Sequence, residues 1–242
     1  MESTGSPQRV FVAGATGVIG RALVPLLLRA GHAVTGTTRS PERAEALARS
    51  GAHPVVVDVY DAVALCEAVE RARPDVVIHQ LTDLPDRLTP EERPAALERN
   101  ARMRIAGTNN LLVAAVAAGV GRVIAQSIAF LYAPGPLPHG EDAPLQPGPS
   151  TEAVRVLETG VTSTDGIAGL VLRYGRFYGP GTWTPVPEGT SPVHVDAAAH
   201  AALLAVDRGA PGTYNIAEDG DGVVSIEKAR RELGWDPAYR RR

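Results

Sequence analysis

The heptapeptide Gly14–Gly20, "GATGVIG", is where residue spacing first implies chemistry. Three glycines stand three residues apart between a β-rich run and a helical one. The first permits a tight turn, the second lets the backbone approach a pyrophosphate, and the third lets helix and strand pack closely. The phosphate then lies at the positive end of the helix. This spacing predicts a dinucleotide, with Gly14, Ala15, Thr16, Gly17, Val18 and Ile19 around its diphosphate. A site for an unphosphorylated ribose carries an acid near the end of the second strand, but that run here reads "GTTRSPER". Arg39 offers a cation for a 2′-phosphate, with Thr37, Thr38 and Ser40 as hydrogen-bonding groups and Arg43 as a second cation. The expected cofactor is NADP(H). Asp58, in "VVVDV", has two readings: a partner for the adenine amino group or a helix N-cap.

Other chemistries find little support. The six histidines are scattered, with no His-x-x-x-His on a helix and no carboxylate pair at ligand spacing, so no metal centre is expected. No Gly-x-Ser-x-Gly nucleophile elbow occurs. The one cysteine, Cys66, excludes an internal disulfide and sits at helical spacing among apolar neighbours, as a small core residue would. A net charge of −3 gives no reason to expect nucleic acid or an anionic membrane as partner. Apolar stretches are interrupted by charges or glycine, and residues 1–8, "MESTGSPQ", read as a short disordered leader without a targeting pattern. A cytoplasmic protein acting on a small molecule is the expectation; nothing fixes an oligomeric state.

The elements that must position these residues alternate along the first half. Strands are expected at Arg9–Gly14, Ala33–Arg39, "HPVVVDV", "DVVIHQL" and "RVIAQS", separated by helical patterns. Ser40 and Pro41 mark one helix start, and Gly31 closes another. Such βα repeats connect right-handedly into an open, doubly wound parallel sheet of Rossmann type, an α/β fold. Residues 9–178 are assigned to the NADP-binding domain. Residues 179–242 are assigned to a shortened substrate-binding part that also returns to the sheet.

The sequence resembles the extended short-chain dehydrogenase/reductases, the NAD-dependent epimerase/dehydratase group. The matching pieces include "VFVAGATGVIGRALVPLLLRAGHAVTGTTRSPE", "DVVIHQL", "NARMRIAGTNNLLVAAVAAGVGRVIAQS", "VLRYGRFYGPGT", "VHVDAAAHAALLAV", "GTYNIAED" and "KARRELGWDP", in family order over nearly the whole chain. The resemblance implies that Gly14–Gly20 and Arg39 hold the diphosphate and ribose. It implies that Asp58 and Val59 flank adenine, and that His79, Gln80, Leu81 and Thr82 line the exit of the fourth strand. Gln126, Arg173 and Tyr174 fall near the nicotinamide. Ser127, Ile128, Tyr132, Phe177 and Trp183 fall toward the substrate.

The departures bear directly on chemistry. The family's substrate-binding Ser or Thr precedes its "Tyr-Gly" tyrosine by four residues; counting back from Tyr132 gives Ile128. Ser127 matches the first serine of the pair instead. The family's Tyr-x-x-x-Lys falls on Ser150 and Val154, and shifting the register by a few residues produces neither residue type. The proton relay is therefore absent, and the C-terminal segment is short. Substrate recognition is expected to shift toward residues 83–99, where "TPEERPAALER" reads as a short helix with Thr89 as N-cap; this segment is either a lid or an inert surface insertion.

Hydride transfer does not need that relay, which contributes acid catalysis of ~10²–10⁴-fold. A phenol beside the substrate ketone, bound water, Ser127 or Thr82 are the remaining proton sources. The pattern resembles atypical ketoreductases of antibiotic tailoring that act on aromatic polyketides. An NADPH-dependent ketoreductase is the leading reading. A nucleotide-sugar epimerase or dehydratase and a non-catalytic NADP(H) sensor are the alternatives.

Overall fold

The computed structural model describes residues 6–85 and 88–241. Strand β1 (Arg9–Ala13) is buried at four of its five positions, as a central strand must be. Helix α1 (Val18–Arg29) follows it, then β2 (Ala33–Thr38), α2 (Pro41–Arg49), β3 (His53–Val56), α3 (Ala62–Ala72) and β4 (Val76–His79). Ser40 caps α2 by accepting from the Arg43 N–H at 3.2 Å, with Pro41 in the first turn. Asp61, rather than Asp58, caps α3: its carboxylate accepts from the Ala64 N–H at 3.0 Å.

A long helical stretch comes next. Thr89 and Glu92 form a reciprocal capping box, the Thr89 hydroxyl accepting from the Glu92 N–H and the Glu92 carboxylate accepting from the Thr89 N–H and hydroxyl. Helix α4 (Arg93–Arg102) then runs through a π-helical turn (Met103–Gly107) directly into α5 (Thr108–Ala117). The short helix anticipated after Thr89 is thus the first part of one continuous helix. Strand β5 (Arg122–Ile128), helix α6 (Pro149–Thr162) and strand β6 (Ala168–Tyr174) complete the repeats. Beyond them lie β7 (Arg176–Tyr178), β8 (Pro192–His194), α7 (Val195–Leu204) and β9 (Gly212–Ile216).

Seven strands form one parallel sheet in the order β3-β2-β1-β4-β5-β6-β9, and β7 pairs with β8 in a small separate ribbon. The order reverses between β1 and β4, and ligands of open α/β sheets bind outside the carboxyl ends of strands at such a point. Each face of the sheet has its own core. Helices α1 and α7 cover one, around Val12, Leu23, Ile124, Leu172 and Tyr214. Helices α3, α5 and α6 cover the other, around Phe11, Val77, Val123, Leu157 and Val171. No described helix is long and apolar enough to cross a membrane.

Candidate functional site

A cleft of about 300 Å³ opens at the switch point. Its walls are the β1 end and glycine turn (Ala13, Gly14, Thr16, Gly17), the β2 end (Thr37, Thr38, Arg39, Ser40, Arg43), and Gln80, Leu81 and Thr82 after β4. Val57, Val59, Leu65 and Met103 close the side toward α3 and the π turn. Ala13, Val57, Leu65 and Met103 were not among the residues the sequence singled out. Each is an ordinary apolar residue whose place becomes visible when the elements close around one space. Asp58 lies outside this lining, exposed, its carboxylate accepting from the Tyr60 N–H at 3.0 Å.

Sterics explain the three glycines. Gly14 has φ +89°, and a Cβ on it would stand 2.8 Å from the Gln80 carbonyl oxygen. A Cβ on Gly20 would meet the Gly14 carbonyl at 2.3 Å, so any larger residue separates helix from strand. Gly17 is different. A Cβ there would meet one protein atom, the Gly14 oxygen at 3.3 Å, and would otherwise project into open space. Gly17 is also the N-cap residue of α1 and supplies no side-chain cap to that helix. The empty side of Gly17 and the helix N-terminus are what a diphosphate would fill. Gly17→Val is expected to abolish nicotinamide-dinucleotide binding in a fluorescence titration while leaving the thermal unfolding midpoint almost unchanged. Retained binding would place the phosphate elsewhere. Ala15 and Ile19 are buried in the core behind the turn, with Val18 packed against it.

At the β2 end, Thr37 accepts from the Gly14 N–H at 3.3 Å, and Thr38 accepts from the Ser40 N–H at 3.2 Å and from the Thr16 hydroxyl at 3.3 Å. Arg39 is 60% exposed, and its guanidinium lies 4.0 Å from the carboxylate of Asp83. This acid is absent from the second strand but arrives from the loop after β4, where the Asp83 N–H donates to the buried Asn100 side chain at 3.0 Å. A further polar atom lacks a partner. Gln80 donates from Nε2 to the Tyr174 hydroxyl at 3.3 Å, whereas its buried Oε1 has no hydrogen-bond partner among the described residues. An acceptor buried without a donor is unfavourable unless a ligand supplies one. The open face of Gly17, the free acceptor of Gln80 and the Arg39 cation together fit a nicotinamide dinucleotide.

The strand alternation separates the residues assigned to the reacting end. Ile128 and Tyr174 are paired in register and share the α1/α7 face with Ile124 and Leu172. His79, Ser127 and Arg173 point to the opposite face, under α5 and α6. The Ser127 hydroxyl donates to Glu158 at 2.6 Å. The same carboxylate takes two bonds from Arg173, at 2.8 and 2.6 Å. Arg173 also donates to the Tyr132 hydroxyl at 2.8 Å and to the Glu141 carbonyl at 2.9 Å, and Tyr132 donates to Asn215 at 2.6 Å. Burial works against the Arg173 charge, but the Glu158 bonds outweigh it and hold this guanidinium above its ordinary range.

Ser127, Tyr132 and Arg173 are therefore joined in a buried network that ties β5, α6, β6 and β9 together. Ser150 stands in the first turn of α6 and Val154 is fully buried one turn later. Gln126 is half-buried on β5, and Thr82 is exposed at the cleft mouth. Phe177 packs on Tyr174 with ring centroids 5.4 Å apart, and Trp183 is 55% exposed. His79 is buried: its Nδ1 accepts from the Leu81 N–H, leaving Nε2 to donate to Thr108 at 3.0 Å. Desolvation first, and Arg104 second, lower its pKa to about 4, so the ring is neutral near pH 7. His194 is the N-cap of α7, accepting from the Asp196 N–H, and Asp196 also holds Arg241. Among the described residues, no group of three or more His, Cys, Asp and Glu side chains could hold a metal ion.

Comparison with known proteins agrees with this geometry. Residues 10–193 match the NAD dependent epimerase/dehydratase family. The chain is 45% identical to a 3-diazoavenalumate denitrifying reductase from a Streptomyces species, over 95% of this chain and 83% of that protein. Among solved structures, it resembles the UDP-glucose 4-epimerase of Thermotoga maritima with UDP-glucose, with a TM-score of 0.79 and 21% identity, covering 96% of this chain and 94% of that one. It also resembles the Bordetella bronchiseptica enzyme WbmG in complex with NAD and UDP, with a TM-score of 0.76 and 19% identity, covering 100% and 92% of the two chains. The chain belongs to the NAD-dependent epimerase/dehydratase family, as an oxidoreductase with a Rossmann-type site for a nicotinamide dinucleotide.

Proposed function

We propose that this protein is an NADPH-dependent reductase that passes a hydride to an electron-poor aromatic small molecule without a protein acid. The observation that carries the proposal is the state of the relay positions. Ile128, Ser150 and Val154 hold no phenol or ammonium, and the Ser127 proton is committed to Glu158. Bound cofactor supplies the hydride; the chain's residues bind and orient it and exclude water from the reacting end.

Two acceptors suit a site without an acid. At an aryl diazonium carbon the new C–H bond forms as the C–N bond breaks, and the electron pair of that bond leaves with dinitrogen. The step creates no new charge on oxygen, so it requires no proton. The activity named for the Streptomyces relative favours this class. At a ketone the π pair moves to oxygen and the resulting alkoxide takes a proton, which a neighbouring phenol of the substrate provides. Sugar-nucleotide epimerisation is disfavoured because the family's tyrosine base has no counterpart.

The test is NADPH oxidation, followed by absorbance, against an ortho-diazophenol, a hydroxyaryl ketone and UDP-glucose. Consumption with either aromatic acceptor is expected, together with no epimerisation of the sugar nucleotide. Tight NADPH binding with no turnover on either aromatic would instead make the protein a sensor.

The phosphorylated cofactor rests on Arg39, and Asp83 modulates it. Arg39→Ala is expected to weaken NADPH binding about ten- to hundredfold, the scale of one or two charge-assisted hydrogen bonds, with little change for NADH. Asp83→Asn removes a carboxylate that competes for the same guanidinium, so NADPH affinity should rise modestly, by about 0.2–1 kcal/mol for so exposed a pair. Calorimetric titrations of both cofactors check the pair. Equal affinities in the unmodified protein would remove Arg39 from the site.

A further inference from the structure

His79 and the paired Ser127 and Arg173 lie on the sheet face covered by the continuous helix 93–117 and by α6. Arg104, on the π turn that packs against α6, lies within electrostatic reach of two groups on this face, His79 and Glu158. Its surroundings differ from those of Arg173. Glu158 already gives both oxygens to Arg173 and accepts from Ser127. The Arg104 guanidinium makes no hydrogen bond or ion pair among the described residues. Yet it is not on the open surface: burial lowers its pKa to about 10, against the pull of Glu158. It is half-buried, so part of its side chain meets solvent. Its chain neighbour Met103 lines the cofactor cleft.

A half-buried charge without a hydrogen-bonding partner is less favourable than one that a ligand completes. π turns inside α-helices are also frequently found at functional sites. The lysine expected on α6 is replaced by the buried Val154, one turn before Glu158. Arg104 stands on the neighbouring helical element that packs on α6.

We infer that Arg104 is the anion-binding residue of the substrate site, taking the charged oxygen of an aromatic substrate, a carboxylate or a phenolate. A planar guanidinium offers two parallel donors to a carboxylate, or one to a phenolate, and is charged near neutral pH. This inference rests on the reductase reading for the presence of a substrate beside it, but it is tested by binding rather than by turnover.

The experiment titrates 4-hydroxycinnamate into the NADP⁺-saturated protein by calorimetry, beside its methyl ester and 4-methoxycinnamate. Arg104→Gln and Arg104→Lys are compared with the unmodified chain, and NADPH affinity is measured for each. Arg104→Gln is expected to weaken the hydroxycinnamate about ten- to hundredfold, the scale of a charge-assisted hydrogen bond, while Arg104→Lys keeps most of the affinity. NADPH affinity should stay unchanged in both variants. If the methyl ester binds weakly and equally to the unmodified protein and to Arg104→Gln, the carboxylate is the partner of Arg104; the same behaviour of the methoxy compound assigns the phenol oxygen. The inference is overturned if Arg104→Gln binds the probe as well as the unmodified protein. It is equally overturned if NADPH affinity falls in parallel, which would make Arg104 a cofactor ligand, or if the unmodified protein binds none of the three. Failure of the reductase reading shows separately, as absent NADPH consumption with probe binding intact.

Discussion

Replacing Arg173 with methionine is expected to destabilise the protein by about 3–5 kcal/mol, the cost of leaving a buried carboxylate without its cation. The side chains of Arg173 and Glu158 are 7% and 10% exposed, and their two bonds are 2.8 and 2.6 Å long. The loss also removes a donor from the Glu141 carbonyl and from Tyr132, which keeps its bond to Asn215. Removing both charges, as in Arg173→Met with Glu158→Leu, should cost less than removing one, because no uncompensated charge remains. Urea unfolding of the two variants beside the unmodified protein provides the comparison. A single-variant loss below about 1 kcal/mol, the scale of an exposed pair, would mean that the network is wetter than its geometry indicates.

The second large effect is kinetic. If a hydroxyaryl ketone is reduced, methylating its phenol should slow turnover by ~10²–10⁴-fold, the usual contribution of a positioned acid. Ser127→Ala and Thr82→Val should cost far less. The Ser127 hydroxyl already gives its proton to Glu158 at 2.6 Å, and Thr82 is exposed at the cleft mouth. Rates are compared at saturating NADPH. A large loss in either variant, with the methylated ketone still turning over normally, would return the proton donor to the protein and defeat the mechanism.

Much of the architecture was legible because its signals are local. The glycine spacing, the Ser40–Pro41 helix start and the period-two apolar runs each report on their own few residues, and β1, α1, β2 and α2 appear where those signals lie. What remained hidden depends on distance along the chain. Asp83 approaches Arg39 from another βα loop, so reading "GTTRSPER" for an acid could not find it. Ser127 and Arg173 looked like site residues by family position, but strand alternation turns them toward Glu158 and away from Ile128 and Tyr174. Arg104 carried no sequence signal at all. It looks like any helical arginine until the π turn and α6 enclose it. Asp58 failed as a cap for a smaller reason: the cap position lies three residues later, where Asp61 performs that task.

The π turn at Met103–Gly107 has a consequence for how this protein could change by insertion and deletion. A wider turn accommodates an extra residue, and each residue in a regular helix advances the side chains by about 100°. Deleting Ala106 would therefore let a regular helix form while swinging everything from Arg93 to Arg104 about a quarter-turn around the axis relative to α5. Met103 would leave the cleft and Arg104 would leave its place, although every neighbouring residue type was preserved. A one-codon change in the gene would thus redraw which side chains face the cleft, a larger rearrangement than most point substitutions allow.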